Sequence, residues 1–146
     1  MCIRDSTSTV RDTNAELGAD AKLVLTEKLL THGNQTAISN MKVELKGEGS
    51  SVQVISRSVA QDDSVQVFNP LVIGECACRG HVQCDAIIMG NAKVKAIPGI
   101  EAASEDAMLV HEAAIGKIAG DQIVKLMTLG LTEEEAEAEI LDDFLS

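Results

Sequence analysis

With 146 residues, a hydrophobic fraction of 45%, two Phe and no Tyr or Trp, the chain can fill one compact core or one elongated repeat body with small branched side chains. A formal net charge of −11 excludes a nucleic-acid backbone as partner, because neutralising phosphates takes clustered Lys and Arg. No run approaches the roughly 18 apolar residues of a membrane span, and no charged-then-apolar signal segment opens the chain; a soluble cytoplasmic protein is expected, with no membrane partner.

Met1-Cys2-Ile3-Arg4-Asp5-Ser6 has the look of a translated sequencing-adapter remnant, so residues 1–6 are set aside and a native chain that begins upstream is expected. Residues 7–20 carry no usable period and are expected to be a loop or a ragged edge. From Ala21 the pattern turns strand-like: Leu23-Val24-Leu25, Leu29-Leu30, then the strict alternation Met41-Lys42-Val43-Glu44-Leu45 before a turn at Gly47-Glu48-Gly49-Ser50.

A loose internal repeat follows. Val52-Gln53-Val54, Val65-Gln66-Val67, Val82-Gln83-Cys84 and Val94-Lys95-Ala96 each set two small apolar groups on one face, and Leu109-Val110-His111 has the same two-residue geometry. Turn clusters at Gln61-Asp62-Asp63 and Gly90-Asn91 separate them. Short strands at such intervals fit a small sandwich or a β-helix, and the narrow interior of a solenoid favours the β-helix because it accepts Val, Ile, Ala and Cys better than aromatics. Stacked in order, the triplets would flank Cys84 with Val67 and Ala96. His111 would then lie about two rungs further on, on the order of 10 Å away at roughly 4.8 Å per strand. That is too far to share one metal ion within a single chain.

The tail changes period. Gly120-Asp121 offers an N-cap, Ile123, Val124, Leu126 and Met127 form a helical stripe, and Gly130 stands where a C-cap is expected. Thr132-Glu133-Glu134-Glu135 is a capping box with Leu131 placed to staple onto Ala136, and Ile140, Leu141 and Phe144 give the second helix an apolar face. About −10 of the net charge lies in the last third, where twelve acids between Glu101 and Asp143 face only Lys117 and Lys125.

Three of the four cysteines, Cys76, Cys78 and Cys84, lie within nine positions, a spacing poor for a disulfide framework and suited to metal or sulfur chemistry in a reducing compartment. Taken alone, Cys84 is a buried small hydrophobe and His111 a hydrogen-bonded structural histidine. Thiolate and imidazole are also ligands for iron–sulfur clusters, and carboxylate suits transient iron. Cys76 and Cys78, with His81 nearby, form either a zinc site with Cys84 or secondary thiols that carry sulfur towards it. Cys-x-Cys lacks the two-residue spacer of zinc knuckles. Glu112 alternates to the strand face opposite His111.

Gln83-Cys84-Asp85 through Gly90, His111-Glu112-Ala113-Ala114, Lys117-Ile118, Asp121-Gln122 and Leu129-Gly130-Leu131-Thr132-Glu133-Glu134-Glu135-Ala136 together resemble the carboxy-terminal part of the SufB/SufD scaffold proteins of iron–sulfur cluster assembly, over about Ser51 to Leu145. The resemblance implies a mostly β fold with an α appendage: a right-handed parallel β-helix, truncated here to residues 7–118, followed by a helical hairpin at 119–146. It implies that the hairpin docks a SufC-type ABC ATPase, with Ile123, Leu126, Met127, Ile140 and Phe144 as the docking face. It further implies that Cys84, His111 and Glu112 build a transient iron–sulfur cluster, with Cys84 and His111 as metal ligands; Val110 stands where a first Glu of the family's Glu-His-Glu run would be.

Carrying both Cys and His suits a homodimer in which one chain's Cys84 faces the other's His111, although a paralogous partner chain is also open. A sulfur donor and apo acceptor proteins complete the expected partners. Two other classes remain: a structural zinc- or iron-binding β-solenoid, and a β-helix acyltransferase using His111 as base, against which the uneven triplet spacing of 13, 17, 12 and 15 counts. No Gly-x-x-x-x-Gly-Lys-Ser/Thr loop is present, so a scaffold without its own ATPase site is expected rather than an enzyme.

Overall fold

Alternating apolar residues can stack only if each strand finds a partner of matching pattern, and here the partner lies nearly thirty residues away. A computed structural model describes residues 8–146, so the adapter-like hexapeptide and Cys2 lie outside the described residues. Nine strands precede two helices: β1 (Ser8–Leu17), β2 (Lys22–Thr31), β3 (Thr36–Leu45), β4 (Ser51–Ala60), β5 (Val65–Gly74), β6 (Cys78–Ile88), β7 (Lys93–Ala96), β8 (Gly99–Ala102), β9 (Ala107–Gly116), α1 (Gly120–Thr128) and α2 (Glu133–Leu145). One sheet runs β1-β3-β5-β7, with β8 also on β5, and the other runs β2-β4-β6-β9. Every pairing is parallel. The chain is therefore a parallel β-solenoid of about four turns, each turn contributing a strand to both sheets.

The register sets the true repeat. Ser51 pairs with Arg79 and Cys78 with Ala107, so one turn takes 28 or 29 residues. The triplets read as successive rungs are half-turns that alternate between the two sheets, which corrects the expected neighbours of Cys84. It pairs with Ser56 and Ala113, while in the other sheet Val67 pairs with Lys95 and Ala96 with Phe68. The physical reason is the corner after each strand, which turns the chain onto the other sheet before it returns. The loop expected over 7–20 is likewise corrected: Ser8–Leu17 form β1, whose partner β3 supplies the pattern that β1 lacks.

The interior divides along the strands. Where β1, β3 and β5 end and β2, β4 and β6 begin, Leu17, Val43, Leu45, Val52, Val54, Val72 and Val82 form an apolar cluster that also takes in Cys78 and Cys84. Gly80 faces the same space, and a Cβ there would meet Leu109 Cδ2 at 2.8 Å. Where the strands of the second sheet end, the buried side chains include Glu27, Thr31, Ser39, Ser56, Ser58, Ser64 and Gln66. Val65-Gln66-Val67 is inverted relative to its sister triplets: Gln66 points inward, donating from Nε2 to Thr31 Oγ1 at 2.9 Å and to the Val59 carbonyl at 3.0 Å. Thr31 is 2.8 Å from Ser64 Oγ, which donates to the Gln61 carbonyl, so the buried polar groups are chained together.

Both helices form where the tail predicts, with one correction. Ala119 is the N-cap of α1 and makes no side-chain cap hydrogen bond; Gly120 already belongs to the helix, and Asp121 sits in its first turn. Gly130 follows the C-cap with φ +99°, a left-handed conformation that glycine adopts without a Cβ penalty. Thr132 Oγ1 accepts from the Glu135 amide at 3.1 Å, closing α2's first turn. Helix α2 packs on β4 and buries Ala136 completely. Among the described residues no helix is long and apolar enough to cross a membrane.

Candidate functional site: a thiol and an imidazole on one inner face

Strand alternation fixes which side chains share the interior. On β6 the inward set is Cys78, Gly80, Val82 and Cys84, each of them buried. On β9, His111 pairs with Val82 and so projects to the same face as Cys84. The two residues therefore stand on neighbouring strands, offset by one inward position, and not two rungs apart. A strand spacing of about 4.8 Å and a two-residue offset put their Cα atoms about 8 Å apart.

Cys84 is 1% exposed. Burial, with smaller contributions from the charges of Asp85 and Glu27, pushes its thiol up to about 11. It is held as a neutral thiol near neutral pH, shielded from reagents. Burial pushes the His111 imidazole below the usual histidine range, and the neighbouring His81 pushes it further. His111 Nε2 is buried with no hydrogen-bond partner. A buried polar atom without a partner costs on the order of 1–3 kcal/mol, so His111 Nε2 is an unsatisfied group on this inner face.

Glu112 lies on the outer face, as alternation predicts, and its Oε2 is 3.2 Å from His81 Nε2 on the adjacent strand. It does not join Cys84 and His111. Cys78 opens β6, six residues before Cys84, which is about 20 Å along an extended strand. Cys78 points inward and His81 outward, so a zinc site of Cys76, Cys78, His81 and Cys84 is not formed. Cys76 is half-buried in the connection before β6 and donates weakly to the Leu45 carbonyl at 3.6 Å; burial, followed by the nearby Cys78, raises its thiol above the ordinary range. Among the described residues, no three His, Cys, Asp or Glu side chains converge closely enough to hold a metal ion.

Two residues near the site were missed by the sequence reading. Glu27, Ser56 and Cys84 are in register on β2, β4 and β6, forming an inward column one strand spacing apart. Glu27 is only 6% exposed; it accepts from Ser39 Oγ at 2.8 Å, and the Arg11 guanidinium lies 3.8 Å away. The signal was present: Glu27 occupies the apolar phase of Leu23-x-Leu25-x-Glu27-x-Leu29.

On the helices, Ile123, Leu126, Ile140 and Phe144 are half-buried and Met127 is exposed. Phe144 lines a cavity with Ala86, Ile87, Ala114 and Ile115, and Ile123 lines one with Ile88 and Met89, so part of the expected docking face rests on the solenoid. Val124 and Leu129, 59% and 79% exposed, add apolar surface to α1 that the sequence reading did not assign to docking.

Fold and inner face define a β-solenoid that brings a buried thiol and an unpartnered imidazole to adjacent strands at its last turn. A family profile described as the SUF system FeS cluster assembly, SufBD core domain, matches residues 4–144. The chain is 36% identical over 124 residues to an iron–sulfur cluster assembly SufBD family protein of Pyrococcus horikoshii, covering 84% of this chain and 38% of that protein. It is 34% identical over 118 residues to one of Methanothermobacter thermautotrophicus, covering 78% and 29%, and 30% identical over 115 residues to one of Staphylococcus saprophyticus, covering 76% and 25%. The chain belongs to the SufBD family of iron–sulfur cluster assembly. It spans about a third of the length of these curated relatives.

Proposed function

We propose that the protein is a cytoplasmic scaffold that assembles a nascent iron–sulfur cluster at the interface of two scaffold chains, driven by a SufC-type ABC ATPase docked on α1 and α2. The observation that carries this reading is the buried, unpartnered Nε2 of His111 on the inner face that also holds Cys84. Cys84 thiolate and His111 imidazole supply soft and borderline donors to iron. Two donors from one chain leave a cluster short of ligands, and the second chain, a copy or a paralogue, completes the set. Glu112, on the outer face beside His81, offers a harder oxygen donor suited to incoming iron.

The protonated, shielded state of Cys84 gives the ATPase its task. Closure of two ATPases moves the two scaffold chains, exposes Cys84 and His111, and admits iron and sulfur from a donor protein. The finished cluster then passes to an apo acceptor. The test is anaerobic reconstitution of the full-length protein with ferrous iron and sulfide, with and without its ABC ATPase and ATP, followed by visible absorbance. A labile cluster that requires both Cys84 and His111 and transfers to an apo acceptor is expected. Normal loading in Cys84→Ala would sink the proposal, and tight stoichiometric zinc in place of a cluster would make the solenoid a structural metal module.

A further inference from the structure

At the opposite end of β6 from Cys84, the start of the second sheet carries a feature that the cluster chemistry does not use. Lys22, Ser51 and Arg79 are in register on β2, β4 and β6 and point to the outer face. At about 4.8 Å per strand, the two cations flank the serine with their Cα atoms about 10 Å apart, close enough for their long side chains to converge. All three line one cleft of about 510 Å³, with Ser50 and Cys78 deeper in the wall and Asp106 at its side. Three of the eleven Lys and Arg residues among those described are held in ion pairs. Lys46 reaches both Glu16 and Glu44, Lys42 reaches Glu44, and Arg11 reaches Glu27. Among the described residues neither Lys22 nor Arg79 has a carboxylate within 4.0 Å, Asp106 included. What sets Lys22 and Arg79 apart is their placement: two cations without an ion-pair partner among the described residues share one concavity, on either side of a hydroxyl donor.

We infer that the Lys22–Ser51–Arg79 cleft is an anion-binding site for a tetrahedral oxyanion of the phosphate class. Arg79 presents a planar fork of donors and Lys22 a point charge, and Ser51 adds a neutral O–H between them. Two cations suit a doubly charged oxyanion better than a single carboxylate. The oxyanion is either a free inorganic ion or the phosphoryl end of a nucleotide, since both present the same terminal oxygens. This site is independent of the cluster reading and stands or falls without it.

The test is calorimetric titration of the full chain at low ionic strength with inorganic phosphate, AMP and acetate, on wild type, Lys22→Gln, Arg79→Gln and the distant control Lys93→Gln. Saturable phosphate binding is expected that weakens at least about tenfold in each cleft variant, the loss of roughly one charge-assisted hydrogen bond. The Lys93→Gln protein should bind as wild type does, and acetate should bind more weakly than phosphate. Asp106→Asn should tighten binding by removing a like charge. AMP binding more tightly than phosphate would make the natural ligand a nucleotide; the reverse order would make it the free ion. The cleft variants alter exposed side chains, so unchanged melting temperatures verify that they fold. No saturable phosphate binding, or equal affinity in wild type and both cleft variants, would overturn the inference.

Discussion

The two halves of the solenoid interior have the same strands, the same pairing and nearly the same burial, yet one is almost wholly apolar while the other sets buried polar groups among small apolar residues such as Val59 and Ala60. One half is Leu17, Val43, Leu45, Val52, Val54, Val72 and Val82. The other contains Glu27, Thr31, Ser39, Ser56, Ser58, Ser64 and Gln66. Apolar burial supplies the driving force for stacking the turns, at about 25 cal/mol per Å². Polar burial breaks even only when each group finds a partner. The first half therefore holds the turns together, and the second is retained for what its groups do or touch. Cys84 sits at the boundary, packed with the apolar cluster and in register with Ser56 and Glu27.

The comparison can be broken most directly in the apolar half. Leu45 is fully buried, and Leu45→Ala should cost about 3 kcal/mol from lost transfer energy and the residual cavity. Chemical denaturation of the full chain measures it; a loss below about 1 kcal/mol would show that this half does not dominate stability.

At the boundary, a Cys84 thiol raised from 9 to about 11 has a thiolate fraction about 100-fold lower than an ordinary cysteine at pH 8, before steric shielding is counted. Iodoacetamide labelling resolved by peptide mass spectrometry should find Cys84 at least that much slower than a model thiol, accelerating as pH climbs towards 11. The same raised value means that Cys84 stabilises the fold fully below pH 9, and that this contribution is lost as pH rises through 11.

In the polar half the expected costs shrink. Gln66→Leu takes a buried donor from the Val59 carbonyl and from the Thr31 hydroxyl, which keeps only Ser64, at about 1–2 kcal/mol in denaturant melts. Glu27→Leu leaves the buried Ser39 hydroxyl without its acceptor and should likewise cost about 1–2 kcal/mol. Its removal frees an Arg11 side chain that is already 61% exposed, and leaves no buried charge unpaired. A loss of 3 kcal/mol or more from Glu27→Leu would mean that the buried carboxylate is part of the fold's foundation, and the contrast between halves would fail.

The smallest effect is the titration of His111. Its depressed value means that the stability it contributes is present above the ordinary histidine range and is lost as pH falls through the folded value. Wild type should therefore lose slightly more stability than His111→Gln between pH 7 and pH 5. Identical pH profiles would mean that the imidazole is solvated in the folded state.

Much of this was legible in the residues. Met41-x-Val43-x-Leu45 and Val52-x-Val54 announced inward faces, Gly130 announced a helix end, and Thr132 announced the next helix start, because these signals act within a few residues of themselves. Cys84 and His111 were legible as a pair by resemblance. Their distance was not, because triplets 12 to 17 residues apart look like neighbours when the stacking partner is 28 or 29 residues away. Glu27 was hidden in plain alternation, and Val65-Gln66-Val67 read inside out because a glutamine with two buried acceptors outweighs two valines, of which Val67 stands in the outer column of Val10 and Ile38.

The sequence alone thus determined the elements: short strands of small apolar residues, the turns between them, and a capped helical hairpin, all set by local steric and hydrogen-bonding preferences. Only the tertiary structure decided which strands stack. That choice placed His111 one strand from Cys84, turned Glu112 away to His81, and lined up Glu27 with Ser56. It also set Lys22 and Arg79 on either side of Ser51. Parallel stacking is satisfied by backbone hydrogen bonds between residues a full turn apart, and no pattern within a strand specifies that distance.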